Sequence, residues 1–266
     1  MRTWLDPFRQ ALDAVTTPIR FFCRDDDIGW GDDRLFELLD LFATYAVPID
    51  LAVIPQALTP GLARQLCTRV EVASGRIGLH QHGFAHVNRE PTGRKCEFGP
   101  ERPTAMQQHD IALGQQRLHD LLGPHVDPIF TPPWNRCTAG TGSCLVAQGF
   151  HILSRDASAV PFELPQLHEM PVRVDWFAQR KGVRLHRAEF VALLVAAMHT
   201  PGPVGIMFHH ALMDADEQRA AGELLAVLAT YSQAQCDSML ALAKDSIEGR
   251  GVPPVLDRTM APGVEV

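Results

Sequence analysis

Three groups of side chains in this sequence could carry chemistry, and all are carboxylates or imidazoles. Asp25, Asp26 and Asp27 stand in a row behind the apolar run Phe21-Phe22-Cys23, with Gly29 just beyond. His82 and His86 are spaced at i and i+4, behind His80 and Gln81. His209 and His210 close an apolar run that ends at Phe208. Three adjacent aspartates repel one another, so a metal ion or an arginine is expected among them. Two imidazoles four residues apart can face one ion. Adding a carboxylate gives three protein ligands with a place left for water, the arrangement of a catalytic rather than a structural zinc. Such an ion lowers the pKa of its water to about 7. A second carboxylate can then take the proton, and a histidine opposite can protonate a leaving group. Gly83 occupies the glutamate position of a His-Glu-x-x-His pattern, so the pair is expected in a turn, not on a zinc-protease helix.

The elements that must position these groups alternate along the chain. Strands are expected at 20–26, 49–54, 76–81, 129–130, 151–153, 167–174 and 204–208. Helices are expected at 33–45, after Pro60, at 104–122 with Thr104 as cap, near Cys144, at 188–198, and once or twice within 217–247. Residues 87–103 carry Pro, Gly and charge without a period and read as a functional insertion over the site. Strands alternating with helices mean a parallel sheet, either an irregular barrel or a doubly wound sheet. The polar groups all fall at strand C-termini, where an α/β barrel builds its active site: Asp25–Asp27, His80–His86, the turn Trp134-Asn135-Arg136, and His209-His210. Residues 1–248 are expected to form one barrel domain, with 249–266 a mobile tail.

Composition narrows the partners. The 266 residues carry a formal net charge of −7, with 46% hydrophobic and 21% charged residues. A nucleic-acid or anionic-membrane partner would want a basic face, so neither is expected. No run approaches a membrane span and no apolar leader opens the chain, which with six scattered cysteines suits a reducing cytoplasm. A Cys137–Cys144 bridge is not expected. His109, His119 and His125 are expected at the surface.

The order of these motifs resembles the polysaccharide deacetylases with a NodB homology domain, which are carbohydrate esterases. The resemblance covers roughly residues 20–213. It implies an irregular (β/α)7 barrel and a metal-dependent deacetylase of N-acetyl or related amide groups, with one divalent ion, zinc by default. It implies Asp26 as general base and Asp27, His82 and His86 as metal ligands. It also implies His209 as catalytic acid, with His210 taking that role if its strand runs one residue longer. Thr131-Pro132-Pro133-Trp134 is similar to the family's third motif, which implies that the Trp134 backbone N–H helps bind the oxyanion. The family's fourth motif is only faint, at Val174-Asp175-Trp176. The substrate is expected to be an oligosaccharide or a small N-acetylated molecule. A small-molecule amidase, a non-catalytic sugar-binding relative, and a glycoside hydrolase with paired carboxylates are the competing classes.

One departure from the family has a structural answer within the sequence. The third motif usually opens with an arginine, where this chain has Thr131. Arg24 and Asp26 are two apart on a strand and share a face, so Arg24 could grip the base in a bidentate contact. Arg136 is the competing arginine, and Asp175 the competing partner for Arg24. Asp25 is expected to bond loop N–H groups, and His80 to be a packed histidine turned away from His82.

Overall fold

A computed structural model of the protein describes residues 3–248. Its strands are β1 (Ile19–Ile28), β2 (Ile49–Val53), β3 (Ile77–His82), β4 (Val126–Thr131), β5 (Ile152–Leu153), β6 (His168–Glu169), β7 (Val172–Asp175), β8 (Gln179–Arg180), β9 (Val183–Arg184), β10 (Val204–Phe208) and β11 (Ala234–Cys236). Its α-helices are α1 (Asp6–Ala14), α2 (Asp32–Tyr45), α3 (Pro60–Ala73), α4 (Thr104–Leu122), α5 (Ala139–Ala147), α6 (Arg187–Met198), α7 (Ala215–Thr230) and α8 (Met239–Glu248). The expected tail at 249–266 lies outside the described residues.

The sheet runs in the order β6-β5-β4-β3-β2-β1-β10-β7, every pairing on that path parallel. Its two outer members are pieces of one extended segment, parted by Met170 and Pro171. The segment leaving β5 pairs with both pieces: Met170 N–H donates to Leu153 O at 2.9 Å and Val172 N–H to Arg155 O at 2.8 Å. Counting β6 and β7 as one strand, the path closes into the expected irregular (β/α)7 barrel. Proline cannot donate to a ladder, which accounts for the break in the 167–174 strand.

Alternation along β1 divides its side chains between two cores. Phe21 and Cys23 belong to the large cluster under the helices, with Leu35, Leu38 and Phe42 of α2 and Leu224, Leu225 and Leu228 of α7. Phe22 faces the barrel interior with Ile129, Ile152, Val172 and Met207, and Met239, Leu242 and Ala243 of α8 join that group. Arg24 and Asp26 continue the Phe22 row and are 0% and 3% exposed.

Four features depart from the expected elements. α1, the antiparallel β8–β9 hairpin and β11, which pairs with the start of β1, were not legible as elements. Thr104 is the first residue of α4 and not its cap; Pro103 stands at the cap without a side-chain hydrogen bond. All six cysteines are free, Cys137 and Cys144 among them. His109 and His119 are exposed as expected, while His125 is half-buried.

Candidate metal centre and active site

β1 presents Asp26 and Asp27 by breaking its own regularity. On a regular strand Asp26 and Asp27 would face opposite sides. The register against β2 shifts between Asp25 and Ile28, and Asp27 sits at φ 69°, in the left-handed region. A bulge of this kind re-aims a side chain. Asp26 stays in the barrel while the Asp27 carboxylate turns to the rim.

There Asp27 meets the two histidines. Its Oδ1 lies 3.2 Å from His82 Nε2 and 3.0 Å from His86 Nε2. One ligand atom from each of the three residues falls within 4.8 Å of the others. His82 Nδ1 lies 3.0 Å from the Thr131 carbonyl, which can only accept, so Nδ1 carries a proton and, in the neutral ring, Nε2 is the nitrogen with the lone pair. A lone pair facing a carboxylate needs a proton or a cation between them. Burial lowers the His82 pKa, yet the bond to Asp27 and the charges of Asp26 and Asp27 outweigh it and leave the pKa raised. Burial raises the Asp27 carboxyl, but its two imidazole contacts hold it far below the ordinary range. The donor set, two imidazole nitrogens and one ionised oxygen, fits a divalent ion such as zinc.

Asp26 lies beside this cluster in the grip of Arg24. Arg24 Nε donates to Oδ1 at 2.7 Å and Nη2 to Oδ2 at 2.9 Å. The guanidinium is itself fixed: Nη1 donates to Ser154 Oγ and Nη2 to Asn135 Oδ1, both at 2.7 Å. Burial pushes the Asp26 carboxyl up, and Arg24, with His82 and His209, more than offsets it, so the pKa is lowered. Arg136 does not reach this network; its Nη1 donates to Lys95 O at 2.9 Å. Asp175 does not pair with Arg24 either.

The two terminal histidines divide sharply. His210 is fully buried, with Nδ1 2.6 Å from Asp25 Oδ2 and Nε2 2.6 Å from the Trp30 carbonyl. Both partners are acceptors, so both ring nitrogens carry protons. Burial lowers its pKa, and the Asp25 charge and hydrogen bond prevail and raise it. Asp25 also accepts the His210 backbone N–H at 2.9 Å. His210 is thus spent as a buried cation. His209 keeps a partly exposed ring whose Nδ1 lies 4.0 Å from Asp175 Oδ1. Burial raises the Asp175 carboxyl, against the charge of His209.

Aromatic rings wall the cluster. The Trp30 and Trp134 ring centroids lie 4.8 and 4.5 Å from that of His86. Trp134 and Asn135 are both left-handed, at φ 55° and 59°, a strained pair of the sort that gathers at functional sites. Trp176 of the faint fourth motif is core, stacked on Phe208 at 5.4 Å. His80 is packed as expected but not turned away. Two residues before His82 on the same strand, it shares that face, and its Nε2 lies 2.9 Å from Thr131 Oγ1. Burial and the nearby Arg24 charge push its pKa down to about 3.

In the sequence Asn135 is named only as part of the turn after β4, and Ser154, Trp30 and Glu97 are not singled out. Ser154 had a signal, since it is the polar residue at the end of β5, the same position that exposed the other groups. Glu97 and Trp30 lie in turns, where no period marks a role.

No protein-family model and no curated protein matches the sequence. Solved structures do match its fold. A candidate polysaccharide deacetylase from Mycobacterium smegmatis superposes with a TM-score of 0.66 at 16% identity, over 95% of this chain and 96% of that one. A family 4 acetyl xylan esterase from Clostridium thermocellum, in complex with a cobalt ion, gives 0.55 at 13% identity over 93% and 100%. A family 4 pseudoenzyme from Bacillus anthracis gives 0.55 at 10% identity over 85% and 66%. The barrel is therefore the fold of the family 4 carbohydrate esterases, the NodB-like deacetylases to which the motif order pointed.

Proposed function

We propose that this chain is a metal-dependent deacetylase acting on an N-acetyl or related amide group of a carbohydrate-like substrate. One observation carries the reading: the donor atoms of Asp27, His82 and His86 converge beside a carboxylate, Asp26, that a buried arginine keeps ionised. Asp27, His82 and His86 would hold one divalent ion, zinc by default. Such an ion would supply Lewis-acid polarisation of the substrate carbonyl and a more acidic water.

The chain's own groups do the remaining work. Asp26 accepts the proton of the attacking water, its orientation set by the Arg24 fork and its ionised form held by that charge. The Trp134 backbone N–H donates to the developing oxyanion. His209 gives a proton to the departing amine nitrogen, and Asp175 stabilises the imidazolium that precedes this. Trp30 and Trp134 offer the flat apolar faces that a sugar ring packs against. Arg24 stands in for the arginine that Thr131 replaces. With that role filled, the altered third motif gives no ground for a non-catalytic sugar binder, and the enzyme reading is favoured. A glycoside hydrolase is disfavoured, because Asp27 stands against the imidazoles of His82 and His86, a donor set for an ion that glycosidic cleavage by paired carboxylates does not need.

Among the described residues no helix is long and apolar enough to cross a membrane. The reading keeps a reducing compartment for the six free thiols. The test is acetate release from a panel of N-acetylated sugars, oligosaccharides and small amides, with protein stripped by chelator and then reloaded. Release that disappears on stripping and returns with zinc or cobalt is the expected result. Saturable sugar binding without acetate release from any loaded form would sink the enzyme reading.

A further inference from the structure

The segment 87–103 has a place in the site that its composition does not reveal. Its one fully buried acid, Glu97, is 0% exposed. Three consecutive backbone N–H groups converge on its carboxylate: Phe84 at 3.2 Å, Ala85 at 2.8 Å and His86 at 3.3 Å. Successive N–H groups turned to one side form a concavity that binds anions. Here the occupant is the chain's own side chain. Those three N–H groups are its hydrogen-bond partners among the described residues. A buried carboxylate needs such compensation, and a loop with its N–H groups pooled needs an acceptor.

The backbone around the carboxylate is shaped for it. Gly83 lies at φ +54°, and a Cβ there would run into the Glu97 carboxylate and the Pro133 ring. His86 lies at φ 55°, left-handed without being glycine. The chain therefore turns sharply at both ends of the three donors, and the second turn brings His86 Nε2 to 3.0 Å from Asp27 Oδ1. Glu97 is held from both sides. Asn88 Oδ1 accepts the Glu90 and Cys96 N–H groups at 3.1 and 2.9 Å, and Arg89 N–H donates to Cys96 O at 2.9 Å. Phe98 forms a bridge to Cys137. The exposed tip at 91–95 thus stands on a fixed base that carries the acid.

We infer that Glu97 is a positioning residue of the metal centre: its carboxylate fills the backbone concavity of residues 84–86 and so fixes the left-handed turn that presents His86 to the ion. This rests on the reading of Asp27, His82 and His86 as ligands, and it extends that site to a residue that does not itself touch the ion. Ligand-orienting partners of this kind are worth about 10–100-fold in metal affinity.

The test measures zinc dissociation constants of the full chain, stripped and titrated against a chromophoric chelator. The variants are Glu97→Gln, Glu97→Asp and, as control, Glu101→Gln, an exposed acid of the same segment. Glu97→Gln turns an amide toward the three donors and should weaken zinc by about 10–100-fold. Glu97→Asp keeps the charge but is one methylene short, and should lose less. Glu101→Gln should bind as wild type. The cobalt-loaded Glu97→Gln protein should show a visible spectrum displaced from that of cobalt-loaded wild type. Unchanged zinc affinity in folded Glu97→Gln would overturn the inference. So would a lowered melting point of the metal-free variant with its zinc constant unmoved, which is the mark of a merely structural acid. Should Glu97→Gln fail to fold, Glu97→Asp decides, and wild-type affinity there overturns the inference. Wild type that takes up no zinc would overturn the ligand assignment itself, and this inference with it.

Discussion

Arg24 holds Asp26 by both arms, Nε to Oδ1 at 2.7 Å and Nη2 to Oδ2 at 2.9 Å, inside a barrel that exposes neither side chain to more than 3%. The two residues lie on one strand, two apart, so strand geometry puts both on one face. A carboxylate and the charge that keeps it ionised are thereby delivered together by β1, and Ser154 at the end of β5 and Asn135 of the turn after β4 hold the guanidinium in place.

Arg24→Met should therefore keep metal and lose most activity. With the guanidinium gone, burial is left to raise the Asp26 pKa, so the acidic limb of the rate profile should move to higher pH. Leaving Asp26 buried and unpaired should also cost about 3–5 kcal/mol of stability. The pH–rate profile and the urea midpoint check both. An acidic limb that stays put in Arg24→Met, and moves in Arg136→Met, would assign the role to the loop arginine.

The two aspartates should separate by assay. Asp26→Asn should bind zinc as wild type and slow turnover by roughly 10²–10⁴-fold, the worth of a general base. Asp27→Asn should lose metal, as should His82→Ala and His86→Ala. Metal content by elemental analysis alongside single-turnover rates distinguishes them. Equal metal loss in both aspartate variants would contradict the division of roles.

His209→Gln should be read with two leaving groups. An amine must be protonated to depart, whereas a nitrophenolate departs unaided, so the variant should lose about 10²–10⁴-fold on an N-acetyl amide and much less on 4-nitrophenyl acetate. Equal losses on both substrates would remove His209 from the proton-donor role.

His210→Gln addresses stability instead. The folded pKa of His210 lies above its ordinary value of about 6.5. Its stabilising contribution is therefore fully present below that value and fades as pH rises through the folded pKa. The stability gap between wild type and His210→Gln, from urea unfolding, should be wide near pH 6 and narrow as pH rises through the folded pKa. A gap that instead widens with rising pH would show that His210 is not a buried cation.

How much was legible depended on what each residue does for its neighbours in sequence. The strand that carries the aspartates, the end of α4 and the span of β10 could be read because apolar period and stop signals are local. The Arg24–Asp26 face could be read for the same reason. The hairpin β8–β9 and strand β11 could not: β8 and β9 are two residues each and pair with one another across a two-residue turn, and β11 is three residues that form a strand because β1 offers an edge. His80 shows a rule misapplied: residues two apart share a face, and it lies beneath His82.

The sequence by itself determined which groups could hold an ion and that they gather at strand ends, because residue type and alternation are properties of the chain. Only the tertiary structure decided how Asp26 and Asp27, neighbours that a regular strand would point apart, serve one site: that took the bulge and the left-handed backbone of Asp27. It also decided which of His209 and His210 is spent on Asp25, a partner 185 residues away in sequence. And it placed Glu97 under His86, a pairing set by three hydrogen bonds across a loop that has no period to read.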